Sequence, residues 1–257
     1  FFSWAAGIPV RIGLDYKRRG RLLTTKIKIS GFLDKHVIDY YLDLLKPLNV
    51  PVRTRTMEIF IEDHARRWAD RFMEEKSVSP QEAVIGIAPL GGEAFGSQSY
   101  RKQWPKEKFS QLIGRLIQET NVRVFLFAGP KEKERIAGIL LPGEAKNRCH
   151  DTTGCSLEEM AALIERCTVF IGNDTGPLRV ADALHKKVVA LFGPVDEQVY
   201  GLYPEDPSRH RLLVKDVSCR PCYLRFRLPP CEHGMECLYG VSVDKVMEAV
   251  KAFIEKA

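Results

Sequence analysis

No apolar run among the 257 residues approaches the roughly 18 residues that would read as a membrane span. Internal repeats and low-complexity tracts are also lacking. The chain has no RNA- or DNA-reading motif, and its basic and aromatic side chains do not interleave, so nucleic acid is not an expected partner. Acid is scarce at the start: within the first 30 residues Asp15 alone faces Arg11, Lys17, Arg18, Arg19, Arg21, Lys26 and Lys28. Residues 1–80 hold 15 basic and 10 acidic side chains, residues 81–257 hold 24 and 23, and the formal charge is +6. Such a stretch could meet an anionic surface or substrate, or be a solvated basic loop. The opening "FFSWAAGIPVRIGLDYKRRG" lacks the order of a signal peptide, because its basic residues follow the apolar stretch. Its first residue is Phe, and it reads as the middle of a domain whose beginning is missing.

Cysteine is sparse over most of the chain. Cys149, Cys155 and Cys167 are scattered, whereas Cys219, Cys222, Cys231 and Cys237 form C-x2-C-x8-C-x5-C. One such cluster in an otherwise cysteine-poor chain suggests a reducing, cytoplasmic setting more than a disulfide scaffold. With His233 close by, the cluster admits tetrahedral zinc, a disulfide pair or free thiols.

What is present is 45% hydrophobic composition, ample for a core, arranged as alternating strands and helices. Helical spacing recurs over 35–49 and 61–75, with an extended connection between them; the polar, Pro-containing "KSVSPQE" (76–82) reads as a linker. Beyond it, strands are expected at 83–90, 122–129, 168–174 and 187–194. Helices are expected at 105–120, 130–140, 156–167 and 176–185, with a terminal helix over 241–256. Ser156 with Glu159 is a capping box. This alternation is that of a parallel sheet with helices on both faces, whose ligands bind beyond the carboxyl ends of the strands. The expected organisation is an N-terminal part (1–80), an α/β part built on that parallel sheet (81–240) and a C-terminal helix (241–257).

The strand ends carry the chemistry. "GNDTGPLR" ends one strand and opens a helix. Asp174-Thr175-Gly176 is also the triplet of aspartic proteases, but that requires a β-rich lobe and a second copy, which the sequence lacks. A helix N-terminus instead offers free N–H groups and partial positive charge to an anion. Thr175 can add a hydroxyl, Gly176 a close backbone approach and Arg179 a guanidinium; Asp174 could cap the helix or bond ligand groups. "GSQSYRKQWP" places Ser97 in a hydroxyl-rich loop and Lys102 where an ammonium can neutralise a leaving phosphate. Glu132, after the strand end "FAGP", fits either dipole capping or a carboxylate that grips a ribose diol.

Taken in order, "WAAGIPVRIGLDYKRRGRLLT", "RKQWPKEKFSQLI", "FAGPKEKERIA", "NDTGPLRVADALHKKVVALFGPVD" and "CRPCY" with its following cysteines resemble segments of glycosyltransferase family 9. These are the ADP-heptose–lipopolysaccharide heptosyltransferases, and the tail is similar to heptosyltransferase II-like members. The resemblance implies a GT-B fold of two Rossmann-like domains facing a cleft, the first incomplete here. It implies inverting transfer of heptose from ADP-heptose to the lipopolysaccharide inner core, in the cytoplasm or at the inner face of the inner membrane. It implies that Asp174, Thr175 and Gly176 hold the donor diphosphate and that Lys102, with Ser97 nearby, contacts phosphate or sugar. Glu132 would hold the ribose, and Cys155 would lie against adenine. No metal is required for the leaving group.

Two departures accompany the resemblance. Arg179 stands where the family usually has His, and the family's N-terminal Gly-Asp loop, whose Asp is the proposed general base, is absent. Asp15 and Asp34 are poor substitutes because neither follows a strand-Gly pattern. The rival readings are a transferase of another nucleotide sugar on the same fold, a non-catalytic nucleotide-binding remnant, and a basic surface adaptor.

Overall fold

The computed structural model describes residues 1–90, 96–129, 132–139 and 147–255, without the side chains of Arg19 and Ser97. The N-terminal part begins with a single helical turn, α1 (Phe2–Ala5). Strands β1 (Ile12–Asp15) and β2 (Thr25–Lys28) pair in parallel, with Ile12 opposite Thr25. Helix α2 (Val37–Leu42) continues as a 3-10 segment, Asp43–Leu48, that contains Pro47. The helical spacing over 35–49 therefore resolves into two short pieces, since proline removes an N–H and clashes with the preceding turn.

Residues 51–62 run without regular structure into α3 (Asp63–Glu75). Next come β3 (Ala83–Ala88), a 3-10 segment Gly96–Lys102, α4 (Lys106–Glu119), β4 (Val122–Leu126) and α5 (Lys133–Ala137). They are followed by β5 (Cys149–Asp151), α6 (Leu157–Arg166), β6 (Val169–Asn173), α7 (Gly176–Ala183) and β7 (Lys187–Leu191). The chain closes with α8 (Glu197–Tyr200), β8 (His210–Leu213), α9 (Glu236–Tyr239) and α10 (Val243–Ile254). Six strands form one parallel sheet in the order β5-β4-β3-β6-β7-β8. The order reverses at β3 and β6, the switch point where open α/β sheets bind ligands.

β3 and β6 are buried on both faces, which is why their sequences are nearly continuous apolar runs. One face packs on α4 and α10 through Phe109, Leu112, Ile113, Val246 and Phe253. The other packs on α6 and α7 through Ala161, Leu163, Ile164 and Leu178. Each fully buried Leu, Ile, Val or Phe among them contributes about 1.5–3 kcal/mol. Gly86 sits where these layers are closest: a Cβ there would meet the Phe170 ring at 2.6 Å and Cys167 Sγ at 2.9 Å.

Three features differ from the pattern expected of the sequence. β5 and β8 are short edge strands with too few apolar residues to stand out. Helix α5 is shorter than 130–140, and Pro130 and Leu140 lie outside the described residues. Helix α3 precedes the 76–82 segment, yet it buries Ala65 and Ala69 in the same core as α6. Its Arg66 makes a bidentate pair with Glu165 at 3.0 Å, and its Asp70 takes Arg166 at 2.7 Å. Packing thus joins α3 to the six-stranded unit across the polar segment.

The N-terminal part meets that unit mainly through aromatic contacts. Phe226 packs on Tyr16 and Phe32, with ring centroids 4.4 and 5.0 Å apart. His36 stacks on Tyr203 at 4.4 Å. His36 Nδ1 accepts from the Ile38 N–H at 3.2 Å, capping α2, so Nε2 carries the proton and donates to the Gly201 carbonyl, also at 3.2 Å. Burial pushes His36 below its ordinary range, in keeping with this neutral form.

Candidate functional site

The site gathers at the carboxyl ends of β3, β4 and β6. β6 ends in Asn173, which is fully buried and spans three loops: its Oδ1 accepts from the Trp104 N–H at 3.0 Å and its Nδ2 donates to the Pro89 carbonyl at 2.7 Å. Trp104 is itself buried, with Nε1 donating to Val241 at 3.1 Å. These bonds fix Lys102, two residues before Trp104, against the start of α7.

Asp174 divides its carboxylate between two cations. Lys102 Nζ lies 2.6 Å from Oδ2, and Arg179 Nη2 lies 2.6 Å from Oδ1. Burial opposes ionisation of Asp174, but Lys102 and Arg179 together outweigh it and hold the carboxyl below the usual carboxylate range. The cluster carries one net positive charge beside a helix N-terminus, a field suited to an anion. Arg179 also bonds the carbonyls of Tyr200 and Gly201 and lies over the Phe192 ring, 5.9 Å from its centroid. Its donors turn inward to brace Asp174, because that buried carboxylate and two loop carbonyls are within reach.

Beside this cluster, on the β4 side, lies a cavity of about 410 Å³. Glu132, Cys155, Thr175 and Gly176, far apart in sequence, all line it. Phe127, Met160 and Val180 supply apolar wall. Burial pushes the Cys155 thiol up to about 11, so it is a neutral, apolar surface. Glu132 occupies the N-cap position of α5 without capping its N–H groups; Oε2 accepts from Gly129 N–H at 2.9 Å and Oε1 from Arg135 at 2.9 Å. Thr175 Oγ1 is buried without a hydrogen-bond partner among the described residues, although Thr175 stands at the N-cap of α7. A buried polar atom left unpaired costs roughly 1–3 kcal/mol, which a hydrogen-bonding ligand would recover. Lys102 stands behind Asp174 and is not among the cavity's lining residues. The Ser97 side chain and the glycines at 91–92 lie outside the described residues.

Sequence reasoning did not single out Asn173, Phe127, Met160 or Val180. A polar asparagine inside an apolar strand run is a readable sign of a buried brace; the wall residues carry no such sign. The two N-terminal acids are committed locally. Asp15 accepts from Gly20 N–H at 3.0 Å, and Asp34 takes the Tyr40 hydroxyl, which holds its carboxyl below the ordinary range. Among the described residues no three His, Cys, Asp or Glu side chains enclose a metal position as they stand, and no helix is long and apolar enough to cross a membrane.

The profile of glycosyltransferase family 9 (heptosyltransferase) matches residues 1–226. Lipooligosaccharide heptosyltransferase 2 of Campylobacter jejuni (serotype O:6) is 26% identical over 231 residues, 88% of this chain and 69% of that protein. Lipopolysaccharide heptosyltransferase 2 of Escherichia coli is 35% identical over 182 residues, 69% of this chain and 49% of that one. The solved structure of E. coli ADP-heptose lps heptosyltransferase II superposes with a TM-score of 0.73 at 24% identity, covering 99% of this chain and 73% of that one. That likeness shows the fold, the GT-B type.

Proposed function

From the premise that this chain belongs to glycosyltransferase family 9 (heptosyltransferase), we propose that it transfers heptose from ADP-heptose to the inner core of lipopolysaccharide with inversion at the anomeric carbon. The observation that carries this reading is the strand-end cavity, where Glu132, Cys155, Thr175 and Gly176 converge beside the Lys102–Asp174–Arg179 cluster. Adenine occupies the apolar wall at Phe127, Cys155 and Met160, and the ribose diol meets the Glu132 carboxylate. The diphosphate meets the N–H groups that open α7 and the free Thr175 hydroxyl. Lys102, held by Asp174, supplies positive charge as the bond to the leaving phosphate breaks, so departure of the diphosphate needs no metal. Ser97 stands in the segment that leads to Lys102. Arg179 contributes through Asp174, as a positioning residue.

The acceptor is phosphate-rich lipopolysaccharide core, met by the basic N-terminal part in the cytoplasm at the inner membrane face. A base must take the acceptor hydroxyl's proton; Asp15 and Asp34 each hold one local hydrogen bond. The second reading is a chain that binds nucleotide without turning over. Calorimetry with ADP, paired with a transfer assay on ADP-heptose and core acceptor, separates the readings. Binding with turnover supports transfer, binding alone supports the second reading, and no binding of ADP overturns both. A panel of nucleotide sugars tests the donor, because Arg179 replaces the histidine that the family resemblance leads one to expect.

A further inference from the structure

The segment from Val214 to Met235 has no helix, no regular strand and no buried residue, yet it joins β8 to α9 and carries Phe226 to the N-terminal part. Loops longer than about 12–15 residues without structure of their own are uncommon inside a compact unit; Arg220 ties this one to Gly193, Val195 and Glu197. Cys219, Cys222, Cys231 and Cys237 line one cavity of about 10 Å³ at the base of this segment. That is room for a single ion or water, not for a nucleotide or phosphate. All four are free thiols.

Arg101 lines the same cavity. It is 3% exposed, its Nη1 donates only to neutral oxygens of Gln98 and Pro229, and its Nε has no hydrogen-bond partner among the described residues. No described carboxylate pairs with it; Glu236, also on the cavity, pairs with Lys215. A buried guanidinium needs a counter-charge. Neutral thiols or disulfides would leave it uncompensated, whereas four thiolates around a divalent ion carry two negative charges. The backbone already serves one such ligand: Met235 N–H donates to Cys231 Sγ at 3.3 Å. Cys222 N–H and Tyr223 N–H both bond the Pro194 carbonyl at 3.0 Å, holding the C-x2-C pair on the loop after β7.

We propose that Cys219, Cys222, Cys231 and Cys237 form a structural tetrathiolate site for a transition-metal ion, zinc or iron, countered by Arg101. Each thiol releases its proton to solvent as it becomes a ligand. The sulfurs do not yet close on one point; closure requires Cys219, Cys222 and Cys231, on the segment, to turn toward Cys237, which α9 holds buried. The site does not rest on the transfer reaction: it pins 214–235 and, through Arg101, the residue next to Lys102.

The test is metal analysis of the full chain, purified without added metal, with zinc and iron measured separately. About one equivalent of either, retained through gel filtration, is expected; zinc leaves the protein colourless and iron does not. Cobalt reconstitution should give the visible absorption of a tetrahedral thiolate site. Cys219→Ser with Cys222→Ser should abolish retention, and Arg101→Gln should weaken it about tenfold or more. If those variants fail to fold, thermal melting of the unmodified chain with and without a chelator decides, a drop with chelator being expected. Substoichiometric metal in the unmodified chain, metal kept by the double variant, a melt indifferent to chelator, or disulfides found by thiol counting would each overturn the proposal.

Discussion

β6 ends between two neighbourhoods of opposite chemistry. On the β4 side is a mainly apolar cavity of about 410 Å³, where Glu132 is held by Gly129 N–H and Arg135 and the Thr175 hydroxyl has no partner among the described residues. On the other side, Lys102, Asp174 and Arg179 fill the space with charge, each cation 2.6 Å from the carboxylate. Asp174 and Thr175, adjacent in sequence, serve different sides: Asp174 meets Lys102 and Arg179, and Thr175 lines the cavity. The cavity is open and shaped, the cluster closed and electrostatic; in the proposed reading the first takes the apolar base of the nucleotide sugar and the second the charge that develops at its phosphates.

The sharpest way to break this contrast is Asp174→Ala. Removing one member of a buried charge cluster leaves the others uncompensated, and a loss of about 3–5 kcal/mol in folding stability is expected by urea denaturation. A change below 1 kcal/mol would mean that the cluster is solvated. The carboxyl's lowered range gives the sign of the pH effect: its stabilisation is present above the unfolded carboxylate range and is lost as pH falls through the folded one.

Lys102→Met should lower kcat by about 100-fold or more, the effect of deleting one preorganised charge at a leaving group, with a smaller change in ADP affinity. An equal fall in both would move Lys102 from the chemical step to ground-state binding. Thr175→Val tests the other neighbourhood. The hydroxyl has no partner among the described residues, so stability should hold within about 0.5 kcal/mol while ADP affinity falls about tenfold by calorimetry. Unchanged affinity would show that the hydroxyl does not meet the nucleotide.

The smallest effect concerns the joint between the two parts. Protonating His36 requires its Nδ1 lone pair, which caps α2, and burial already disfavours the charged form. Stability from this contact is therefore present above the unfolded histidine range and lost as pH falls below it. NMR titration should place His36 below the ordinary 6.5; a value above it would place the ring in solvent.

The alternating sheet was legible because its central strands are buried on both faces and so spell continuous apolar runs. β5 and β8 escaped notice because edge strands this short leave hardly any pattern. At the site, Asp174-Thr175-Gly176 stood out as a strand stopping at an acid, a hydroxyl and a glycine, a pattern that a plain helix cap explains as well as an anion site does. The inward bonds of Arg179 were not legible: spacing puts it near the helix start, but only the fold shows the two loop carbonyls that it meets. The apolar cavity wall was equally hidden, since Phe127, Met160 and Val180 read as ordinary core until neighbouring layers leave one side uncovered.

Asn173 has an evolutionary consequence. Asparagine and aspartate have nearly the same shape, and their codons differ by one base, so drift offers this exchange readily. Here it would replace the donor to Pro89 with another acceptor, 2.7 Å from a carbonyl oxygen and fully buried. The lineage is thus barred from one of its cheapest steps, at a position that no ligand need ever touch.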